Sequence, residues 1–380
     1  MEDGIYFDLP EKDYHRLPRL SASGIANMLI SPATFWARSW MNPEREKNDK
    51  DTPARILGRA YHMARLEPDR FAETYAAELG PDDFEDDEIL MNDAEIKAAL
   101  ADMGLPQSQK EDGGVLGRAK RLEAAGYTGK IWHLELERHQ AATEGKITIP
   151  RQYMEDIARD VAAMRSNGLV AELLEEGSAE VSILWTDERT GIKMKARLDY
   201  LAAHGQVDFK TYDNPMGKDI HRKIADDFMY NRYYIQAILY HQALEIIRKG
   251  GLSIIGEASL EQRQTIAHVQ ARPFSVPVYY IFQEKSGIPN LWVREIMLYH
   301  RAPATHLANA GGVDDGKAAV VADRQRRMAS FHIKGKLEIE WACNMFNLYM
   351  EERGPLMPWS PIDPNGELGD GNFPTWWLET

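Results

Sequence analysis

The alternation of hydrophobic and polar positions is clearest between residues 179 and 211, where it predicts three consecutive β-strands. Residues 179–185 are rich in strand-forming side chains, and residues 192–201 alternate hydrophobic with charged positions. After the turn at 202–205, the alternation resumes over residues 206–210. The pattern therefore predicts an antiparallel meander of three strands joined by two short polar turns.

Charged residues of this meander are predicted to converge. Side chains repeat every two residues along a strand, so Arg197 shares a face with Asp199, and Asp208 shares one with Lys210. The neighbouring strand contributes Glu180. A row of carboxylates is unfavourable in a packed face unless a metal ion or a partner compensates the charge.

This pattern has a chemical interpretation and a structural alternative. Two aspartates nine positions apart, with a lysine two residues beyond the second, can hold a divalent metal against a phosphodiester and orient a water molecule. The alternative is a solvated strand face, which is the usual location of Asp and Lys. Val207 and Phe209 flank Asp208 and give that strand one apolar face, which favours the first interpretation. We therefore predict a metal-dependent nuclease.

Helical patterns surround the meander. A helix is predicted from Leu20 to Leu29 with Ser21 or Ser23 as its N-cap, and another over residues 54–66. The second helix contains His62, and a lone helical histidine is more often a packed or surface residue than a ligand. Further helices are predicted over residues 150–176, from about 218, and over 316–352, with a β-hairpin at 276–283 and 291–298.

These elements suggest four segments. Residues 1–80 and 151–300 are predicted to form the two parts of one core, and residues 81–150, which contain an acidic run, a mainly helical insertion. Residues 301–380 are predicted to form a C-terminal helix and a tail with four aromatic residues, Trp359, Phe373, Trp376 and Trp377.

The helix that follows the meander carries a second candidate pair. Gln236 and Tyr240 lie four residues apart, so they occupy one helical face and can reach the same site. Tyr233 and Leu239, on the same helix, are assigned to its hydrophobic core stripe.

Composition limits the class of protein. Hydrophobic residues make up 44% of the 380 positions, which predicts a globular fold. The only cysteine, Cys343, excludes a disulfide framework within the chain and cysteine-rich metal sites, and its apolar surroundings predict a buried residue. There is no signal-peptide pattern and no run of eighteen apolar residues, so we expect a cytoplasmic protein without membrane segments. The net charge of -14 argues against a protein that coats DNA nonspecifically. It is compatible with DNA binding if the basic residues are concentrated in one groove or in the channel of an assembly.

Taken in order, these motifs resemble the RecB-like branch of the PD-(D/E)XK nucleases. The likeness rests on His62 in Gly-x-x-x-His, Glu180, Asp199 after Arg197-Leu198, Asp208-Phe209-Lys210, and Gln236-x-x-x-Tyr240. The segment Leu20-Ser-Ala-Ser-Gly24 resembles the RecE (exonuclease VIII) nuclease domain and, more distantly, lambda exonuclease. The likeness spans residues 15–300.

The resemblance implies a fold, an activity and partners. The fold is an α/β (α+β) nuclease core, in which a central mixed β-sheet with an antiparallel meander is flanked by helices. The activity is 5′ to 3′ degradation of double-stranded DNA ends to mononucleotides, which leaves a 3′ single strand for a RecT-like annealing protein in phage or prophage recombination. A ring-shaped trimer or tetramer that threads DNA is also implied.

The resemblance also assigns roles to residues. His62, Asp199, Asp208 and the Phe209 carbonyl would hold Mg²⁺ or Mn²⁺, with two ions in each site, and Lys210 would orient or help deprotonate the attacking water. Glu180 would be a supporting ligand or base, and Gln236 and Tyr240 would position DNA or brace the site. Ser23 with Arg16 or Arg19 would receive the 5′ phosphate. Arg59 and Arg197 could contact phosphate or instead form internal salt bridges.

Two other functions are compatible with the sequence. One is a structure-specific endonuclease of the same fold, which would cut closed circular DNA. The other is a non-catalytic protein that binds DNA ends, which would be expected to lack Asp208 or Lys210, and both are present.

Overall fold

The computed structural model describes residues 1–45, 52–84, 89–285, 290–296 and 315–360, and only the backbone of 315–331. The chain divides into two compact units. We call Asp51–Ser166 the insertion unit, and the residues on either side of it the core unit. Across the residues with described structure, no helix combines the length and the apolar composition needed to span a bilayer.

Secondary structure is numbered in chain order over the described residues. The strands are β1 Gly4–Tyr6, β2 Tyr75–Ala77, β3 Ile89–Leu90, β4 Lys130–Ile131, β5 Ile147–Ile149, β6 Gly177–Thr186, β7 Lys193–Ala202, β8 Gly205–Tyr212, β9 Val278–Glu284 and β10 Leu291–Glu295. The α-helices are α1 Glu11–Arg16, α2 Ala22–Met28, α3 Pro32–Arg38, α4 Pro53–Leu66, α5 Pro68–Thr74, α6 Asp93–Asp102, α7 Val115–Ala124, α8 Trp132–Ala142, α9 Arg151–Ser166, α10 Gly168–Leu173, α11 Ile220–Tyr230, α12 Tyr233–Arg248, α13 Leu260–Ala271 and α14 Asp315–Glu352.

The core unit is built on a six-stranded mixed sheet in the order β1-β6-β7-β8-β9-β10. Neighbouring strands are antiparallel except β8 and β9, which run parallel. Parallel neighbours need a crossover connection, and α11, α12 and α13 supply it. The apolar side chains of α12, among them Ile235 and Ile238, are buried in the core that this helix shares with the sheet. The predicted fold class, a mixed sheet with an antiparallel meander and flanking helices, is confirmed.

The insertion unit is mainly helical and has two hydrophobic clusters. One joins α6, α7 and α8 through side chains such as Ile96 and Leu122. The other joins α4, through Ala60 and Ala64, to α9, through Ile157. Because α4 and α9 pack in this cluster, the unit extends beyond the predicted segment 81–150 at both ends. Two short parallel strand pairs, β2 with β5 and β3 with β4, complete it.

Within the core unit, the C-terminal region packs on the rest of the unit through aromatic side chains. Trp359 is fully buried, with ring centroids 5.4 Å from Phe35 and 5.2 Å from Tyr349. Cys343 is buried as predicted, and burial raises the pKa of its thiol to about 12. The other tail aromatics of the prediction, Phe373, Trp376 and Trp377, lie outside the described residues.

Candidate active site

The candidate site begins where β7 and β8 separate. The two strands pair only over residues 200–202 of β7, next to their turn. Asp199 lies one residue before that segment. Its carboxylate accepts a hydrogen bond from the backbone N–H of Phe209 at 2.9 Å, so a side-chain hydrogen bond replaces the backbone hydrogen bonds where the pairing ends. The sheet therefore opens beside the predicted acidic residues.

A segment from the N-terminal region pairs with the same edge of β7 nearer the start of that strand, where β8 is not paired with it. The Leu20 N–H donates to the Lys193 carbonyl at 2.8 Å, and the Leu20 carbonyl accepts the N–H of Lys195 at 2.9 Å. Helix α2 begins two residues later, with Ser21 as its N-cap. This pairing brings the predicted Leu20–Gly24 motif to the opened part of the sheet.

Glu180 and Asp199 lie opposite each other on β6 and β7. The strand pairing is interrupted at Glu180, between Ala179 opposite Tyr200 and Val181 opposite Leu198. Glu180 has φ 55°, in the left-handed region that residues other than glycine seldom occupy. Such backbone conformations concentrate at functional sites.

Arg197 balances the charge of Glu180. Its Nε lies 2.5 Å from Glu180 Oε2, and its Nη2 donates to the Leu9 carbonyl at 2.7 Å. Of the two interpretations left open by the sequence, Arg197 forms the internal salt bridge, and it also lines the cavity described below.

Asp208 is the buried centre of the site. Its side chain is 0% exposed, and continuing the register of β7 with β8 by one residue places it opposite Asp199. Asp208 Oδ1 forms an ion pair with the Lys210 ammonium, and Oδ2 accepts a hydrogen bond from Gln236 Nε2 at 2.7 Å. The predicted meander and the helix that carries Gln236 and Tyr240 thus meet at the Asp208 carboxylate.

The protonation of Lys210 follows from these neighbours. Burial by itself lowers the pKa of Lys210, but the carboxylates of Asp208 and Asp199 outweigh burial and raise it. Lys210 is therefore an ammonium near neutral pH, and it donates hydrogen bonds.

Gln236 and Tyr240 lie on one face of α12, as their spacing predicts. Both line the same cavity. Burial raises the pKa of Tyr240 well above its usual range, so the phenol keeps its proton. Leu239 is buried as predicted, whereas Tyr233 is only partly buried and lines the cavity.

A cavity of about 460 Å³ in the core unit borders these residues. Its acidic lining residues are Glu180 and Asp199. Among the residues with described positions, six basic ones line it: Arg19, Arg38, Arg45, Lys195, Arg197 and Arg232. Basic charge is therefore concentrated in one cavity of a chain whose net charge is -14.

The residues predicted to receive a 5′ phosphate differ in their exposure. Ser23 is exposed, and its Oγ lies 3.0 Å from that of Ser21. Arg19 is 3% exposed, and its guanidinium donates to Asp3 at 2.7 Å and to the Met1 carbonyl at 2.8 Å. Arg16 is exposed in the last turn of α1. Arg19 thus anchors the N-terminal segment inside the protein.

His62 and Arg59 belong to α4 in the insertion unit, and their assigned roles stay predictions.

The donors at the site suit a hard cation. Among the residues with described positions, no three His, Cys, Asp or Glu side chains are grouped closely enough to hold a metal. Mg²⁺ does not require three, because it is commonly bound by one or two carboxylates together with water and substrate phosphate. Asp199 and Asp208 supply two carboxylates on neighbouring strands, and Asp208 lies where a buried charge needs compensation.

The sequence did not identify several residues of the site. Arg38, Arg45 and Arg232 line the cavity, but a single arginine carries no local signal of its partner. Tyr280 on β9 lies opposite Asp208 only because β8 and β9 are parallel neighbours. A spacing pattern within one segment cannot reveal such a pairing.

Comparison with known proteins gives a family match and a structural match. The model of a family described as a PDDEXK-like domain of unknown function (DUF3799) matches residues 21–255, more than half of the chain. No curated protein matches the sequence. The crystal structure of a "Putative exonuclease" from Eubacterium rectale is similar over 74% of this chain and 90% of that chain, at 12% identity. Its TM-score of 0.31 is too low to support an argument.

Proposed function

Because the chain belongs to the PDDEXK-like domain family DUF3799, within the PD-(D/E)XK nuclease superfamily, we propose that it is a metal-dependent 5′ to 3′ exodeoxyribonuclease acting on double-stranded DNA ends. The observation that carries this proposal is the meeting of Asp199, Asp208, Lys210 and Gln236 beside a cavity whose charged lining residues are mainly basic.

Asp199 and Asp208, with the Phe209 carbonyl, would hold Mg²⁺ or Mn²⁺, and the sequence resemblance adds His62 and a second ion. When bound, such an ion lowers the pKa of a coordinated water and offsets charge on the phosphate. Glu180 would support the site from the opposite strand.

The remaining residues of the site, Gln236, Lys210 and Tyr240, would position the reacting groups or polarise them. Gln236 fixes one oxygen of Asp208 through its hydrogen bond. Lys210, an ammonium near neutral pH, would donate a hydrogen bond to the attacking water or to a phosphate oxygen, which favours orientation over proton removal as its role. Tyr240, one helical turn beyond Gln236 on α12, would brace the same wall of the cavity.

The cavity accounts for DNA binding by an acidic protein. Phosphate contacts by Lys and Arg supply most of the affinity for a DNA backbone. Arg38 is suited to this role because it is exposed, and Nη1 donates to Asn27 Oδ1 at 3.0 Å, which holds the guanidinium at the cavity wall.

Replacing Arg38 by glutamine is expected to weaken DNA binding about fivefold to tenfold at low salt, and to lower the slope of log affinity against log salt by about one. The loss of one phosphate contact is the physical reason. Fluorescence anisotropy with a labelled duplex, in Ca²⁺ to prevent cleavage, measures both quantities. Arg248→Gln is the matched control, because Arg248 pairs with Glu245 on α12 at 2.8 Å. An unchanged salt slope in Arg38→Gln would remove Arg38 from the DNA-binding surface.

Polarity and end dependence are tested with linear duplexes. One strand carries a 5′ phosphate or a 5′ hydroxyl, each strand is labelled at its 3′ end in turn, and Mg²⁺ is supplied. We expect mononucleotide release from the 5′ end, a persisting 3′ single strand and an intact closed circle. Cleavage of the closed circle would identify a structure-specific endonuclease instead. Binding to ends without cleavage in Mg²⁺ or Mn²⁺ would identify a non-catalytic end-binding protein.

The biological setting is the part of the proposal that rests on the sequence resemblance. It comprises a RecT-like annealing partner, a ring-shaped trimer or tetramer, and phage or prophage recombination. The resemblance in the Leu20–Gly24 segment supports this setting, and measurement of the mass in solution tests the ring.

A further inference from the structure

The Lys210 ammonium lies between two aromatic rings. Nζ is 4.8 Å from the centroid of Tyr233 and 5.5 Å from that of Tyr280. Both distances are within the range in which a cation is attracted to the face of an aromatic ring, and the attraction increases when the cation is shielded from water. The Lys210 side chain is 15% exposed. We call Tyr233 and Tyr280 the aromatic clamp.

The clamp is held rigidly by its own contacts. Tyr280 is fully buried on β9, and its hydroxyl donates to the Tyr233 backbone carbonyl at 2.9 Å. The two rings are 6.2 Å apart at 73°, in an edge-to-face arrangement, and Phe228 of α11 packs on Tyr280 at 5.7 Å. Strand β9 and helices α11 and α12 are therefore joined at this point.

The clamp also connects helix α12, which carries Gln236, with strand β8, which carries Asp208 and Lys210. Tyr233 is the first residue of α12, and Gln236, three residues later, holds Asp208. Tyr280 lies opposite Asp208 in the parallel register of β8 and β9. Helix α12 and strand β9 thus hold both the Asp208 carboxylate and the Lys210 ammonium in place.

Holding the Lys210 ammonium by attraction to ring faces leaves its N–H groups available to a substrate. A hydrogen bond to a fixed acceptor would commit one N–H of the ammonium, whereas the attraction to a ring is mainly electrostatic and leaves the protons able to turn toward other acceptors. We propose that Tyr233 and Tyr280 are positioning residues, which hold Nζ beside Asp208 while its protons turn to a water molecule or a phosphate oxygen. This inference rests on the proposed nuclease function.

Tyr233 variants test the clamp, because Tyr233 is less buried than Tyr280 and tolerates exchange better. We expect Tyr233→Leu to lower kcat for linear duplex cleavage about tenfold with KM within about twofold, and Tyr233→Phe, which keeps the ring, to retain most of kcat. Phe346→Leu is the matched control: its ring packs 5.8 Å from Phe35 and 5.7 Å from Trp359 in the hydrophobic core of the same unit. It should lower the melting temperature and leave kcat unchanged.

A second readout needs neither metal nor activity. In ¹³C-lysine-labelled protein, the Lys210 CεH₂ resonance, identified by its loss in Lys210→Arg, should be shifted upfield by the ring currents in wild type and in Tyr233→Phe, and less so in Tyr233→Leu. An unshifted wild-type resonance would overturn the clamp.

The kinetic outcomes separate this inference from the proposed function. A wild-type chain without metal-dependent cleavage contradicts the nuclease, while the resonance still tests the clamp. An active wild type with undiminished kcat in Tyr233→Leu overturns the clamp alone. A change confined to KM, or equal losses in Tyr233→Phe and Tyr233→Leu, would also overturn it, because DNA stacking or the hydroxyl would then be responsible.

Discussion

Replacing Asp208 by asparagine is expected to lower kcat for cleavage of linear duplex DNA by about a thousandfold or more, with the protein still folded. Asparagine has nearly the same volume, so it fits the fully buried position. It removes the negative charge that would bind a hard cation and that pairs with Lys210. Under the proposed function, charge compensation at the phosphate would then be lost.

The measurement is single-turnover cleavage in Mg²⁺ and in Mn²⁺, with circular dichroism to confirm the fold. Asp213→Asn is the matched control, because Asp213 follows the same strand, is 55% exposed and pairs with Lys285 at 3.5 Å. Its activity should equal that of wild type. Asp208→Asn cleaving at a rate close to wild type would show that catalysis does not depend on this carboxylate.

Replacing Lys210 by methionine is expected to lower kcat by about a hundredfold to ten-thousandfold, the range typical of losing a positioned proton-transfer or charge-stabilising group. Methionine keeps most of the length and apolar stem of lysine. The loss of the ammonium leaves Asp208 buried beside Asp199, and such an uncompensated charge costs about 3–5 kcal/mol.

This second effect gives Lys210→Met a distinct signature. Its melting temperature should be lowered in EDTA and should rise more on addition of Mn²⁺ than that of wild type, because a cation can replace the missing positive charge. Differential scanning calorimetry with and without metal tests this. Lys223→Met is the control, since Lys223 pairs with Asp227 at 2.5 Å on α11. An equal metal response in Lys210→Met and wild type would indicate that no cation binds beside Asp208.

Several site elements were predictable because their signals are local. Glu180, Asp199, Asp208 and Lys210 lie within about thirty residues, on strands joined by short turns, and alternation assigns them a common face. Gln236 and Tyr240 follow from helical spacing alone. One boundary was wrong for an equally local reason: the helix predicted over 150–176 ends at Ser166, because Asn167 caps a new helix by accepting the Val170 N–H at 3.2 Å.

The sequence by itself determined the meander, its acidic residues with Lys210, and the helix that follows, because side-chain periodicity within a strand or a helix depends only on neighbouring residues. The tertiary structure alone decided that Leu20 replaces β8 along part of β7, that Tyr280 and Tyr233 surround the Lys210 ammonium, and that six basic residues from separate segments line one cavity. Those arrangements depend on pairings between residues far apart in the chain. Such pairings are set by packing of the whole core, and no local pattern encodes them.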